Sequence, residues 1–121
     1  MVDVQAEWIR PARSTDGVCP VFKKTWSCPV PAKRATLILT ALGVYEARIN
    51  GERVSDYVLA PGWTAYAKRL QYQQYDITQQ LCDDNTLTIT VGRGWFSSPM
   101  PGWLESEDKA RRAAGPIGIW G

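Results

Sequence analysis

The sequence predicts an all-β domain, an antiparallel sandwich or barrel, and three observations predict it. Pro, Gly, Ser and Asn punctuate the chain about every ten residues, with short β-branched and aromatic runs between them. Long amphipathic helices are missing. The 121 residues, 45% hydrophobic and 21% charged, are enough to bury one core and match the average for a globular domain.

Val21 to Cys28, following Pro20, reads as the first strand. Ala35 to Leu42 (ATLILTAL) is apolar and rich in β-branched residues, so it is expected to be a central strand buried on both faces. GVYEARIN, Asn50-Gly51 and ERVSDYVL then form a hairpin, because a type I′ turn needs positive φ at both central residues and Asn-Gly supplies it. Tyr45, Ala47 and Ile49 alternate with Glu46 and Arg48, which turns one face inward and the other to water. Leu59 to Tyr66, broken by Pro61-Gly62, is a loop. Leu70 to Ile77 resumes strand character, with the inward face undecided between Leu70, Tyr72, Gln74 and Gln71, Gln73, Tyr75. Thr78 is expected to cap a single helical turn over Gln79 to Cys82, and Asp83-Asp84-Asn85 to turn the chain into a strand over Thr86 to Val91. GRGWFSSPMPGW reads as loop, Glu105 to Ala114 as a short helix ended by Gly115-Pro116, and GPIGIWG as the start of a further strand.

Several function classes receive no support. Fourteen basic against twelve acidic residues leave a net charge of +2, and the basic residues fall in scattered pairs such as Lys23-Lys24 and Arg111-Arg112, unlike the dense stripe of a nucleic-acid binder. The amino terminus lacks the basic and apolar regions of a signal peptide, and no segment is long and apolar enough to span a membrane, so a cytoplasmic chain is expected. Histidine is absent, which removes the commonest general base and metal ligand; neither a cofactor nor a metal is expected. Cys19, Cys28 and Cys82 lack zinc-site spacing, leaving two readings: three reduced thiols, or a Cys19 to Cys28 bridge.

Aromatic residues are the strongest functional signal. Six tryptophans and five tyrosines include Trp63 and Tyr66 in PGWTAY, Trp95 in GRGWF and Trp103 in PGW, all at loop positions. A pyranose packs the C–H bonds of one face on such a ring while its hydroxyls seek polar partners, for which Arg69, Arg93, Asp76 and Glu105 are available. Taken singly, each tryptophan reads more readily as a wedge closing an end of the sandwich or a seat for a neighbouring domain. Trp8 and Trp26, nearer strand positions, read as core. Glu46, Glu52, Asp56, Asp76, Glu105, Glu107 and Asp108 sit at turn or surface positions where solvated carboxylates are ordinary, so no catalytic pair is assigned and the chain alone is not read as an enzyme. Gly92 and Gly94 in VGRGW serve a tight turn beside Trp95 better than a phosphate loop.

The words LGVYEARINGERV, LAPGWTAY, KRLQYQQYDIT and GRGWF, with the weaker AEWI and VFKKTW, resemble the amino-terminal domain of bacterial α-L-rhamnosidases over about Ala6 to Phe96. The resemblance implies a jelly-roll-like β-sandwich, one module over residues 1–121, that belongs to a larger glycoside hydrolase whose catalytic carboxylates lie in a separate (α/α)₆ barrel. That enzyme would cleave terminal α-L-rhamnose with inversion. The module's implied partners are a rhamnose-containing oligosaccharide or glycoside and the catalytic domain, and a recognition role carries over by word match to Trp63, Tyr66 and Trp95. After GRGWF the chain departs from the family pattern and runs through ESEDKARRAAGPIGIWG. The sandwich is therefore expected to lack its last strands, with exposed edges open to self-association.

Overall fold

The computed structural model describes residues 5–12, 18–65, 68–97 and 118–120, with Ser97 and residues 118–120 described by backbone alone. Eight strands follow in chain order: β1 (Trp8–Ile9), β2 (Val21–Ser27), β3 (Thr36–Leu42), β4 (Val44–Ile49), β5 (Glu52–Arg53), β6 (Gln73–Asp76), β7 (Asp84–Gly92) and β8 (Gly118–Trp120). A 3₁₀ turn spans Thr78–Gln80, and one helical turn, α1, spans Gly94–Ser97. The strands form two sheets, ordered β1-β8-β3-β6 and β2-β7-β4-β5, and every pairing is antiparallel. The all-β sandwich is thus present. No helix among the described residues is long and apolar enough to cross a membrane.

The core lies between the sheets. Leu39 and Ala41 of β3 meet Tyr45 and Ala47 of β4 and Ile89 and Val91 of β7, with Ala60 and Phe96 closing the cluster. Alternation in β4 places Tyr45, Ala47 and Ile49 inward and Glu46 and Arg48 outward, as its pattern requires. β3 buries Leu39, Thr40 and Ala41 in succession, so both of its faces are covered there. The Asn-Gly turn adopts positive φ at Asn50 (52°) and Gly51 (83°), the geometry of a type I′ connection.

Several elements depart from the pattern-based reading. Only Glu52 and Arg53 continue the hairpin, on one edge of β4; the other edge pairs with β7 from Val44↔Gly92 to Ile49↔Leu87. The strand expected over Leu70 to Ile77 shortens to Gln73–Asp76, and it turns Gln73, Tyr75 and the following Ile77 inward. Thr78 does not cap its turn: its Oγ1 accepts from Ala35 N at 2.9 Å and donates to Asp76 Oδ1 at 2.6 Å, tying β6 to the start of β3. Asp84 and Asn85 belong to β7, with Asn85 2% exposed. The stretch after Gly92, read as loop, contains α1. Trp8 is 48% exposed and Trp26 only half-buried, since both lie on strands at sheet edges. All three cysteines are free thiols, and Cys28 Sγ donates to Val30 O at 3.3 Å. The tail strand forms as β8, between β1 and β3, while the helix expected over 105–114 lies outside the described residues.

A polar bridge crosses this core. The Tyr45 hydroxyl is 2.8 Å from Gln73 Oε1, which accepts its proton, and 2.7 Å from the Tyr75 hydroxyl. Burial, then the Tyr75 hydroxyl, pushes the Tyr45 phenol well above its ordinary value of 10.0, and burial also raises Tyr75. A raised phenol stays protonated in the folded chain while the unfolded chain ionises near pH 10.0. Its contribution is therefore complete below that pH and is lost as pH rises toward the folded value. Denaturant titrations should accordingly show the unfolding midpoint falling steeply above about pH 10, less steeply in Tyr45→Phe. Equal slopes in the two proteins would remove Tyr45 as the cause.

Candidate functional site

Trp63, on a loop, and Trp95, in α1, are distant in sequence, and the fold brings their rings together at 6.3 Å between centroids and 1° between planes. Such spacing with parallel planes is an offset stack, the arrangement that the ring quadrupoles favour. Trp63 remains 54% exposed, and Trp95 is half-buried.

Each ring is placed by buried backbone beside it. Ahead of Trp63, Ala60 and Pro61 are buried, Ala60 O accepts from Tyr45 N at 2.7 Å, and Gly62 turns the chain at φ 94° while its N–H donates to Leu59 O at 3.0 Å. Beyond it, the Thr64 hydroxyl donates to Arg69 O at 2.6 Å, and Ala65 O accepts from Lys68 and Arg69 N–H. Trp95 follows Gly94, whose φ of 50° and close approach to Val44 leave no room for a side chain: an added Cβ would stand 2.6 Å from Val44 Cγ1. Phe96, 8% exposed, then pins α1 into the core.

Two of the candidate carboxylates, Glu46 and Asp76, are otherwise engaged, and Glu105, Glu107 and Asp108 lie outside the described residues. Glu46 Oε1 accepts from Arg48 Nε at 2.7 Å in an exposed pair worth at most about 1 kcal/mol. Asp76 Oδ1 accepts from the Thr78 hydroxyl and N–H, and these bonds hold its carboxyl below the ordinary range. Asp76 thus braces β6, and Glu52 and Asp56 line a shallow hollow at the hairpin tip. Arg69 and Arg93 are exposed and flank the loops that carry Trp63 and Trp95. Among the described residues, no group of His, Cys, Asp and Glu could hold a metal ion.

Of the four aromatic residues singled out from sequence, the structure thus joins Trp63 and Trp95; Tyr66, Trp103 and the partner candidate Glu105 lie outside the described residues. It adds surfaces the sequence did not disclose. Tyr57, Val58 and Leu59 stand exposed in a segment read as strand, and with Glu46, Arg53 and Thr90 they line a cleft of about 380 Å³. A second cleft of about 340 Å³ opens between the sheets, lined by Ile9, Phe22, Leu37, Leu87 and Ile89 with Lys23 and Lys24. No local pattern announces either, since both depend on which strands face each other.

Comparison with known proteins places these features in context. The sequence model of the α-L-rhamnosidase N-terminal domain matches residues 31–114. An α-L-rhamnosidase of Streptomyces avermitilis is 52% identical over 65 residues, 53% of this chain and 6% of that protein. One from Formosa agariphila is 34% identical over 115 residues, 86% of this chain and 12% of that protein. Among solved structures, the native α-L-rhamnosidase from Aspergillus terreus superposes with a TM-score of 0.71 at 36% identity, covering 92% of this chain and 12% of that one. The Streptomyces avermitilis enzyme complexed with L-rhamnose gives a TM-score of 0.71 at 35% identity, covering 82% and 9%. The chain spans 6% to 13% of the length of the curated relatives.

Proposed function

Because the chain belongs to the α-L-rhamnosidase N-terminal domain family, we propose that it is the non-catalytic accessory module of such an enzyme and assists recognition of rhamnose-containing glycans. The parent polypeptide would hydrolyse terminal α-L-rhamnosides, with inversion, through a catalytic domain outside this chain. The observation that carries the recognition role is the Trp63 and Trp95 pair: two parallel rings, one of them 54% exposed, on a loop and on α1 that buried residues hold. A fixed ring loses little freedom when a sugar face packs on it, so the stacking is not offset by ordering.

Calorimetric titration with rhamnose and rhamnosyl oligosaccharides tests this directly. Binding heat is expected, and Trp63→Ala should weaken affinity by about tenfold or more, equivalent to roughly 1.4 kcal/mol. The same variant should lose no more than about 1 kcal/mol of stability, the stacking contribution of an exposed pair. Absence of heat at millimolar sugar sinks the recognition role.

A structural role, packing against the catalytic (α/α)₆ domain without touching sugar, is the second reading. The exposed Tyr57, Val58 and Leu59 favour it.

A further inference from the structure

The two segments that bring a ring to the Trp63 and Trp95 stack carry cations and no carboxylate. No acidic residue lies between Asp56 and Asp76, and none between Asp84 and Glu105. Lys68 and Arg69 stand exposed in the first segment. The Thr64 hydroxyl donates to Arg69 O at 2.6 Å, and Ala65 O accepts from the N–H of Lys68 at 2.7 Å and of Arg69 at 2.9 Å. The chain therefore doubles back and ties both cations to the backbone that follows Trp63.

The described carboxylates nearest in sequence are held elsewhere. Asp56 lines the hollow at the hairpin tip, and Asp76 is bonded to Thr78 opposite Thr36. Thr36 begins β3, which runs for about 20 Å before the corner where α1 stands against Val44. Glu46 is paired with Arg48. Among the described residues, neither Lys68 nor Arg69 forms an ion pair.

Neutral hydrogen-bonding groups stand beside the ring as well. A Cβ added at Gly62, the residue before Trp63, would lie 3.6 Å from Gln71 Oε1 and 4.0 Å from the Tyr57 hydroxyl. Gln71 is exposed yet anchored, since its carbonyl accepts from the Thr40 hydroxyl at 2.5 Å. The loop thus offers a flat ring for the C–H face of a sugar, an amide and a phenol for its hydroxyls, and two cations for a group of opposite charge. A neutral sugar leaves the cations idle. An acidic protein surface supplies the charge but no flat C–H face for the Trp63 ring. An anionic sugar uses all three, and its pairing with an arginine is directional, which adds selectivity more than raw affinity.

Resting on the reading that this module recognises rhamnose-containing glycans, we infer that the Trp63 loop selects acidic ones: rhamnosyl oligosaccharides that carry a carboxylate or sulfate beside the stacked sugar. Lys68 and Arg69 receive the anionic group, while Gln71 and Tyr57 take neutral hydroxyls.

The test is calorimetric titration of the chain at low salt with three probes: a disaccharide of rhamnose and a uronic acid, the same disaccharide with its carboxyl reduced to the alcohol, and a sulfate ester of rhamnose. At least one anionic probe should bind about fivefold or more tighter than the reduced disaccharide, and the larger gain identifies the anion. The gain should vanish by about 1 M salt, where exposed charges are screened. Lys68→Gln combined with Arg69→Gln should abolish it and leave the affinity for the reduced disaccharide unaltered. Lys23→Gln, which removes an exposed cation on β2, should change neither affinity. Equal affinity for charged and reduced sugars, a gain that survives high salt, or a gain that persists in the double variant overturns the inference and leaves the recognition role standing. Loss of the reduced disaccharide as well in the double variant assigns the two residues a structural role and overturns it too. No heat with any probe removes the inference and the recognition role together.

Discussion

Gly43→Ala is expected to cost about 3 kcal/mol or more, a large share of the stability of a domain this size. Gly43 makes the corner between β3 and β4, where the chain leaves one sheet and enters the other, and its φ of 130° is strained for any side chain. An added Cβ would collide with the carbonyl oxygen of Gly92, which is backbone in the strand paired with β4 and has nowhere to move. Two penalties therefore act together, the backbone strain and the overpacking, each worth about 1–3 kcal/mol. Chemical denaturation of the variant checks this. A loss under about 1 kcal/mol would show that the corner relaxes.

Asn85→Ala should cost about 2–3 kcal/mol, through polar groups left without partners. Asn85 is 2% exposed; its Oδ1 accepts from Cys82 N at 2.8 Å and Asn50 Nδ2 at 3.0 Å, and its Nδ2 donates to Cys82 O at 2.8 Å. Asn50 in turn donates to Gln80 O and accepts from Thr86 N at 2.9 Å. The two asparagines thus lock the hairpin tip to the start of β7. Asn85→Asp keeps the acceptor but buries a carboxylate whose second oxygen faces the Cys82 carbonyl, so at neutral pH it should cost at least as much as Ala. Equal stability of all three proteins would dissolve the network account.

Asn50 illustrates what the sequence discloses and what it conceals. Its tolerance of positive φ is a property of the dipeptide, so the hairpin was legible; its grip on residues about thirty positions away is not a local property. Leu39, Thr40 and Ala41 were likewise legible as a strand covered on both faces, because an unbroken apolar run has few other uses. The pairing of β4 with β7 was not. Asn-Gly announces the partner on one edge of β4 only, a partner kept short where Tyr57, Val58 and Leu59 peel away, while the opposite edge takes the non-local β7 in a longer register. Asp83-Asp84-Asn85 looked like a turn by composition, although burial recruits Asn85 for its hydrogen bonds. Trp63 was legible as a loop aromatic, whereas Trp95, also read as loop, lies in the helical turn α1. Their stacking follows from the sheets.

The position of β8 has a consequence in time. Residues 118–120 pair with β1 on one side and β3 on the other, so one sheet joins near-opposite ends of the described chain. Every strand of the other sheet precedes Arg93. During synthesis the β2-β7-β4-β5 sheet can assemble while the site of β8 is still vacant, leaving β3 with an unpaired edge until residues 118–120 arrive. Closing so long a loop is the slow, entropically costly step. The interval before it is when this chain is most open to wrong strand partners.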